Sequence, residues 1–296
     1  GGYEGYYKIT NANPNMTGDG QAMALRAEVG MMDFEFNQTL PAIVWPPALK
    51  GDTLPFGLLL YWGAYLYNSH GERFLIKWDP VRMERSTRAI ISRAIFHEVK
   101  AGRGSPHGGV YCSLAHMPKK FIDDKYHEED RTHTFLRLKA AGIDLHRDYV
   151  ETGYAMHYCQ GGCNINTKCE TDRSGLITVG GAASGSKDGA DRLQSNSLPY
   201  CMTTGMIGGR VATERAKGMK KVPSVNYQEV QKLKERAFAP LKRSQGVKIY
   251  EVKAPMVELF TQELGYGRTK EGLEQVIKQI ERCKTETLPR LCATNK

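Results

Sequence analysis

The stretch that most limits the fold lies at residues 175–218. A continuous apolar run, GLITVGG at 175–181, ends in a Gly-Gly turn, a glycine- and serine-rich loop follows, and a helix is predicted from Leu198 to Lys217. An unbroken apolar run is the pattern of a strand buried on both faces, and such strands occur in α/β sheets whose carboxyl ends meet ligands. Ser197 is placed to cap the helix, with Pro199 in its first turn, where a missing N–H costs little. Gly205, Gly208 and Gly209 inside the helix each cost up to roughly 1 kcal/mol relative to alanine. Close packing against a backbone or a flat cofactor would offset that.

The rest of the chain reads as further elements at helical or strand spacing. Thr17 and Asp19 precede a run of small and apolar residues, the start of a capped helix. Residues 31–36 read as a short strand; Pro41, Pro46, Pro47 and Pro55 then punctuate a loop, and a domain crossover is expected near residue 42. Ile90, Ile91, Ala94, Ile95 and Val99 share one helical stripe, with Arg88 a turn or less before it. Strands are expected at 63–68 and 108–114, and a helix at 129–141. After Pro223 the pattern is helical over 227–238, 252–264 and 270–285.

Composition excludes several classes. With 41% hydrophobic residues and 25% charged ones in 296, the chain is neither disordered, collagenous nor a coiled coil. The longest mostly apolar run, 55–67, is broken by two glycines and is short of the roughly 20 residues a membrane helix needs. Seven cysteines, an odd number, do not make a secreted disulfide framework, so a reducing, cytoplasmic setting is expected, with any membrane contact made through partners at its inner face. No targeting peptide is visible, and either processed ends or a piece of a longer protein is expected. Residues 214–296 hold 18 Lys and Arg against 10 Asp and Glu, hence eight of the nine net positive charges. They alternate with Glu at helical spacing, as in Glu274 and Lys278, which favours a solvated face over a nucleic-acid patch.

A set of short motifs carries a resemblance. TGDG (17–20), DFEF (33–36), HGERF (70–74), RAIISRAI (88–95), GGVY (108–111), MHYCQGG (156–162), GLITVGGAA (175–183) and GADRLQSNSL (189–198) occur in that order. Together they resemble the flavoprotein subunit of the succinate dehydrogenase/fumarate reductase family, which also includes aspartate oxidase. The resemblance covers about the first 215 residues, and the tail is similar to the start of that family's helical domain.

The resemblance implies an α/β plus α+β fold: a split, Rossmann-like FAD-binding domain at 1–41 and 148–222, a capping domain at 42–147, and the start of a C-terminal helical domain at 223–296. The GxGxxG turn that opens such chains is absent, so an internal fragment is expected. Asp19, Gly181, Ser197 and Leu198 are implied as cofactor contacts for FAD, with the helix start facing the flavin ring. Arg192 matches the arginine that grips a substrate carboxylate, His157 a histidine at the same end, and Arg88 the arginine that passes a proton at the substrate carbon. An arginine with a pKa above roughly 12 is a poor acid in water, so that role requires burial and coupling. Read without the resemblance, Asp19 and Ser197 are helix caps and the other three are surface cations or a core histidine.

Four departures bear on the substrate. The family's QFHPT reads QTLPA, with Leu40 in place of histidine; its TEGxRGEG corresponds to 56–63, FGLLLYWG; the glutamate of its G-E pair is Gly181; and the Asn before the arginine is Asp191. The implied activity is two-electron transfer between FAD and an unsaturated or saturated acid other than fumarate, with one carboxylate or carbonyl anchor and an apolar remainder. An iron–sulfur electron-transfer subunit is the implied partner. An amino-acid oxidase of the aspartate oxidase type, or an electron-transfer subunit without its own substrate, are the alternatives. Cys159, Cys163 and Cys169 near His157 do not have zinc or ferredoxin spacing, so no metal is expected and free thiols are the plainer reading.

Overall fold

The computed structural model describes residues 1–128, 134–222 and 224–293. Its central feature is a four-stranded antiparallel sheet in the order β2-β5-β4-β3, formed by β2 (Asn37–Trp45), β3 (Tyr65–Tyr67), β4 (Val110–Ser113) and β5 (Val150–Cys159). A second, two-stranded sheet pairs β1 (Met31–Met32) with β6 (Gly162–Cys163). The helices are α1 (Asp19–Arg26), α2 (Leu54–Gly57), α3 (Arg88–Lys100), α4 (Lys119–Glu128), α5 (Thr134–Ala140), α6 (Ser197–Gly218), α7 (Tyr227–Phe238), α8 (Ile249–Glu263) and α9 (Lys270–Arg282).

The main core lies against the four-stranded sheet. Ile91, Ala94 and Ile95 of α3 pack with Leu66, Val110, Cys112 and Val150, all at 0% exposure. These are the apolar positions of the helical stripe read from the sequence, and Thr87 caps the helix by accepting from the Ile90 N–H at 3.4 Å. Burying a side chain such as Ile91 contributes about 2 kcal/mol by transfer alone.

The HGERF motif stabilises this same unit. Arg73 donates to Glu84 through Nε and Nη2 at 3.1 and 2.7 Å, and its guanidinium stacks 3.5 Å from the Tyr65 ring centroid. Asn68 and Arg103 together satisfy the buried carboxylate of Glu98 on α3.

Several sequence expectations are corrected. The strand expected at 31–36 is two residues long, because Asp33 turns the chain at φ 64. The proline-punctuated loop contains a nine-residue strand, β2, in which Pro41 pairs with Tyr154. β2 is an edge strand, where a residue without an N–H need not supply a ladder bond. The run at 175–181 is not a regular strand: it makes one antiparallel bridge, Ile177 with Glu170, and turns at Gly180–Ala182. Among the described residues no further strand lies beside it, and an apolar run without a partner cannot complete a ladder.

The expected caps also move. Gly18, at φ 73, caps α1 without a side-chain bond, and Thr17 donates to the Asp19 carboxylate at 2.7 Å instead. Ser197 is the first residue of α6; the cap is Asn196, again with no side-chain bond. Of the helix expected at 129–141, residues 134–140 form α5 and 129–133 lie outside the described residues. Among the described residues no helix is long and apolar enough to cross a membrane. All seven cysteines are free, and no group of His, Cys, Asp or Glu among the described residues is placed to hold a metal ion.

Candidate active site

The site is built where β2, β5, the start of α3 and the loop before α6 meet. Pairing between β2 and β5 slips twice, between Ile43 and Trp45 and between Gln38 and Thr39; at the second slip Gln38 faces Tyr158 while Thr39 faces Met156, which leaves His157 as the extra residue. A bulge of this kind re-aims a side chain out of strict alternation. As a result His157 and Tyr158, although adjacent, both reach the same partner, Arg192.

Arg192 is 4% exposed. Its Nη2 donates to Nε2 of His157 at 3.1 Å, its Nη1 donates to the Leu193 carbonyl at 2.9 Å, and its guanidinium lies 4.6 Å from the Tyr158 ring centroid. Its Nε is buried and unpartnered. Arg88, the first residue of α3 and 8% exposed, donates through Nη2 to the Arg192 carbonyl and sits 3.5 Å, Nε to Oδ1, from Asp191. Gln38 closes the arrangement by donating to the Arg192 carbonyl at 2.8 Å and to the Asp191 carboxylate. Arg88, His157 and Arg192, distant in sequence, are therefore in mutual contact through Arg192.

Electrostatics follow from this packing. Burial, reinforced by the Arg192 and Arg88 charges, pulls His157 down to about 4, so its imidazole is neutral at physiological pH. Nδ1 lies 3.1 Å from the Asn11 Oδ1, which fits a proton on Nδ1 and a lone pair on Nε2 facing Arg192. Burial also lowers the proton affinity of Arg88; Asp191 opposes that shift and Arg192 adds to it.

The remaining site expectations fall in a second group of contacts. Asp19 is exposed at the head of α1. That helix meets the turn at Gly181, where a Cβ on Gly20 would lie 3.3 Å from Ala182 and Gln21 donates to the Gly161 and Gly181 carbonyls at 2.9 and 3.5 Å. Ser197 and Leu198 open α6 immediately after the Arg192 loop, and Leu198 is 68% exposed. Gly208 is explained by contact, since a Cβ there would lie 2.6 Å from Val179, whereas Gly205 and Gly209 face open space.

These features fit a flat group with polar edges. The first N–H groups of α6 have no side-chain cap, bare glycine backbone lines the junction at 161–162 and 180–181, and buried Gln21 Oε1, Gln160 Oε1 and Arg192 Nε lack partners. A cleft of about 560 Å3, lined in part by Thr39, Phe96, Tyr154 and Met156, does not include the three converging residues.

A family model described as an FAD binding domain matches residues 1–198. The chain belongs to that FAD-binding family. FAD is the cofactor of its members, which are FAD-dependent oxidoreductases. An uncharacterized FAD-dependent oxidoreductase of Methanocaldococcus jannaschii is 35% identical over 220 residues, 72% of this chain and 38% of that protein. One subunit of the fumarate reductase (CoM/CoB) of Methanothermobacter marburgensis is 29% identical over 283 residues, 95% of this chain and 49% of that one. Among solved structures, Mycobacterium smegmatis Sdh1 in complex with UQ1 aligns with a TM-score of 0.84 at 27% identity, covering 100% of this chain and 48% of that one. A quinol-fumarate reductase with menaquinol molecules aligns with a TM-score of 0.82 at 26% identity, covering 100% and 52%. The chain thus spans between about two fifths and one half of the length of these proteins, and has the mixed helix-and-sheet fold of the succinate dehydrogenase/fumarate reductase flavoproteins.

Two of the departures noted in the sequence acquire a different structural meaning. Leu40 is 4% exposed and packs with Ala42, Ala155 and Ile9, so it is a core residue and not a wall of the site. Within 56–63, Leu58, Leu59 and Trp62 are buried in the main core. Tyr61, on a π-helical turn at Leu58–Trp62, is the exception: it is 68% exposed and accepts from Gln194 at 3.5 Å. Sequence reasoning missed Gln38, Asn11 and Tyr158. Gln38 and Tyr158 lie inside segments already singled out, so adjacency was their signal; Asn11 lies in no motif and had none.

Proposed function

We propose that the protein of which this chain is part uses FAD to move two electrons between flavin and the saturated or unsaturated carbon–carbon bond of a carboxylic acid. The contact set of Arg88, His157 and Arg192 beside a family-matched FAD-binding unit is the observation that carries this reading. Bound FAD would supply the hydride acceptor or donor.

In this reading Arg192 holds a substrate carboxylate. Its Nε–H has no partner and each terminal nitrogen keeps a second hydrogen, so a fork remains for two oxygens while Nη2 stays oriented by His157. His157 acts as a neutral acceptor that fixes the guanidinium, not as a second cation. Arg88 gives or takes the proton at the substrate carbon; its burial and the neighbouring positive charge favour proton release relative to a solvated arginine. Asp19, Gly181, Ser197 and Leu198 are assigned to the flavin, whose reduced ring suits a positive helix end. Tyr61 and Leu193, both exposed beside Gln194 and Arg192, are assigned to an apolar part of the substrate, which is therefore an acid other than fumarate.

The division into 1–41 and 148–222 for the flavin, 42–147 for the cap and 223–296 for the helical part belongs to the same proposal, as does an iron–sulfur electron-transfer partner. The test is anaerobic reoxidation of the chemically reduced, FAD-loaded natural protein by a panel of α,β-unsaturated acids. Reoxidation by at least one acid, lost in Arg88→Gln and Arg192→Ala while FAD stays bound, is the expected result. No reoxidation by any acid, followed by rapid reoxidation once oxygen is admitted, would overturn it in favour of an oxidase.

A further inference from the structure

We propose that Asp191 sets the specificity of the site by making it select acids with a single carboxylate; this rests on the acid-site reading above. The argument is a count of charges in one contact set. Arg88 and Arg192 are each cationic, and Asp191 sits 3.5 Å from the Arg88 Nε. His157 adds no charge at neutral pH, because burial and the two guanidiniums keep its proton off. The next pair along the loop, Lys187 with Asp188, is neutral as a unit. Among the described residues, then, two guanidiniums, one carboxylate and an uncharged imidazole leave one net positive charge at the place where a substrate would be held.

One ligand carboxylate neutralises that charge. A second would enter with nothing to offset it and would face the Asp191 carboxylate, a like charge a few ångströms away that repels it even where solvent partly screens the pair. Asp191 cannot simply swing away. Gln38 donates to its carboxylate from β2, and the same amide donates to the Arg192 carbonyl at 2.8 Å, so the acid is tied to the backbone that carries Arg192. Its side chain is 42% exposed, which places it at the rim and not beneath the site, where an incoming second carboxylate would meet it.

Equilibrium binding to the FAD-loaded natural protein, read by perturbation of the flavin absorbance and by calorimetry, tests this with propionate and malonate as non-reacting probes. The natural protein is expected to bind propionate at least 10-fold more tightly than malonate. Asp191→Asn is expected to gain on the order of 10- to 100-fold for malonate while propionate changes by less than about 3-fold. Asp191→Glu, which keeps the charge, is expected to keep the preference, and retained FAD and melting temperature report that the variants are folded. If both acids bind but Asp191→Asn leaves malonate unchanged, or if the natural protein prefers malonate, the proposal is overturned and the acid-site reading stands. If neither acid binds the natural protein, both fall.

Discussion

Arg192 donates through Nη2 to the Nε2 of His157 at 3.1 Å, and the imidazole is the acceptor because its other nitrogen faces the Asn11 oxygen. The two residues are 35 positions apart and are brought together at the slip in pairing between Gln38 and Thr39 of β2 and the facing residues of β5.

This arrangement predicts the ionisation of His157. In the folded protein it should remain neutral down to about pH 4, whereas the unfolded chain takes up the proton near the ordinary value of 6.5. Because the unfolded state then binds more protons, this residue's contribution to stability is level above about pH 6.5 and falls as pH drops toward 4. NMR titration of the His157 ring checks the first point. Urea denaturation of His157→Gln across that range checks the second; a variant with the same acid slope as the natural protein would refute the assignment.

Replacing Arg73 by alanine leaves the Glu84 carboxylate, 5% exposed, without its cation. The expected loss is about 2 kcal/mol, since removing Arg73, itself 33% exposed, strands a carboxylate that is buried. Denaturant unfolding should register it as a lower midpoint with no change in slope, and a loss below about 0.5 kcal/mol would mean that solvent reaches Glu84.

Ile91→Ala removes a side chain at 0% exposure from the packing of α3 on the sheet. A loss of about 3 kcal/mol is expected, the sum of lost transfer energy and the cavity left behind. The same substitution at Ile90, which is half-buried, should cost less than half as much; equal losses would place the core elsewhere.

Gly162→Ala would put a methyl group 2.6 Å from the Ala182 carbonyl oxygen and 2.9 Å from the Ala183 carbonyl carbon. Backbone on both sides cannot yield as a side chain would, so the junction between β6 and 182–184 must open. Weaker FAD retention, by about 10-fold or more, is expected on equilibrium dialysis, with the α3 core unaffected in hydrogen exchange. Unchanged FAD retention would separate this junction from the cofactor.

What was legible in the sequence divides along physical lines. The α3 stripe and the α6 boundary were readable because helical periodicity is local. The convergence of Arg88, His157 and Arg192 came from ordered motifs, since no local rule brings an arginine at a helix start to a loop more than a hundred residues away. β2 was misread because proline is a loop signal in isolation, and only the sheet order reveals Pro41 to be on an edge. Leu40 was read as bearing on the substrate because its position in a motif says nothing about which side chains pack over it. The bulge that turns His157 toward Arg192 was invisible, as register depends on the partner strand.

β2 and β5 run from the main core, where Ile43 faces Thr152, through the slip at Gln38 and Thr39 to the site, where Gln38 faces Tyr158. The pair therefore connects the main hydrophobic core at one end with the guanidinium cluster at the other. His157 thus owes its place to a strand whose other half is anchored by the α3 core, so a substitution that loosens that core is expected to disturb the cationic fork as well.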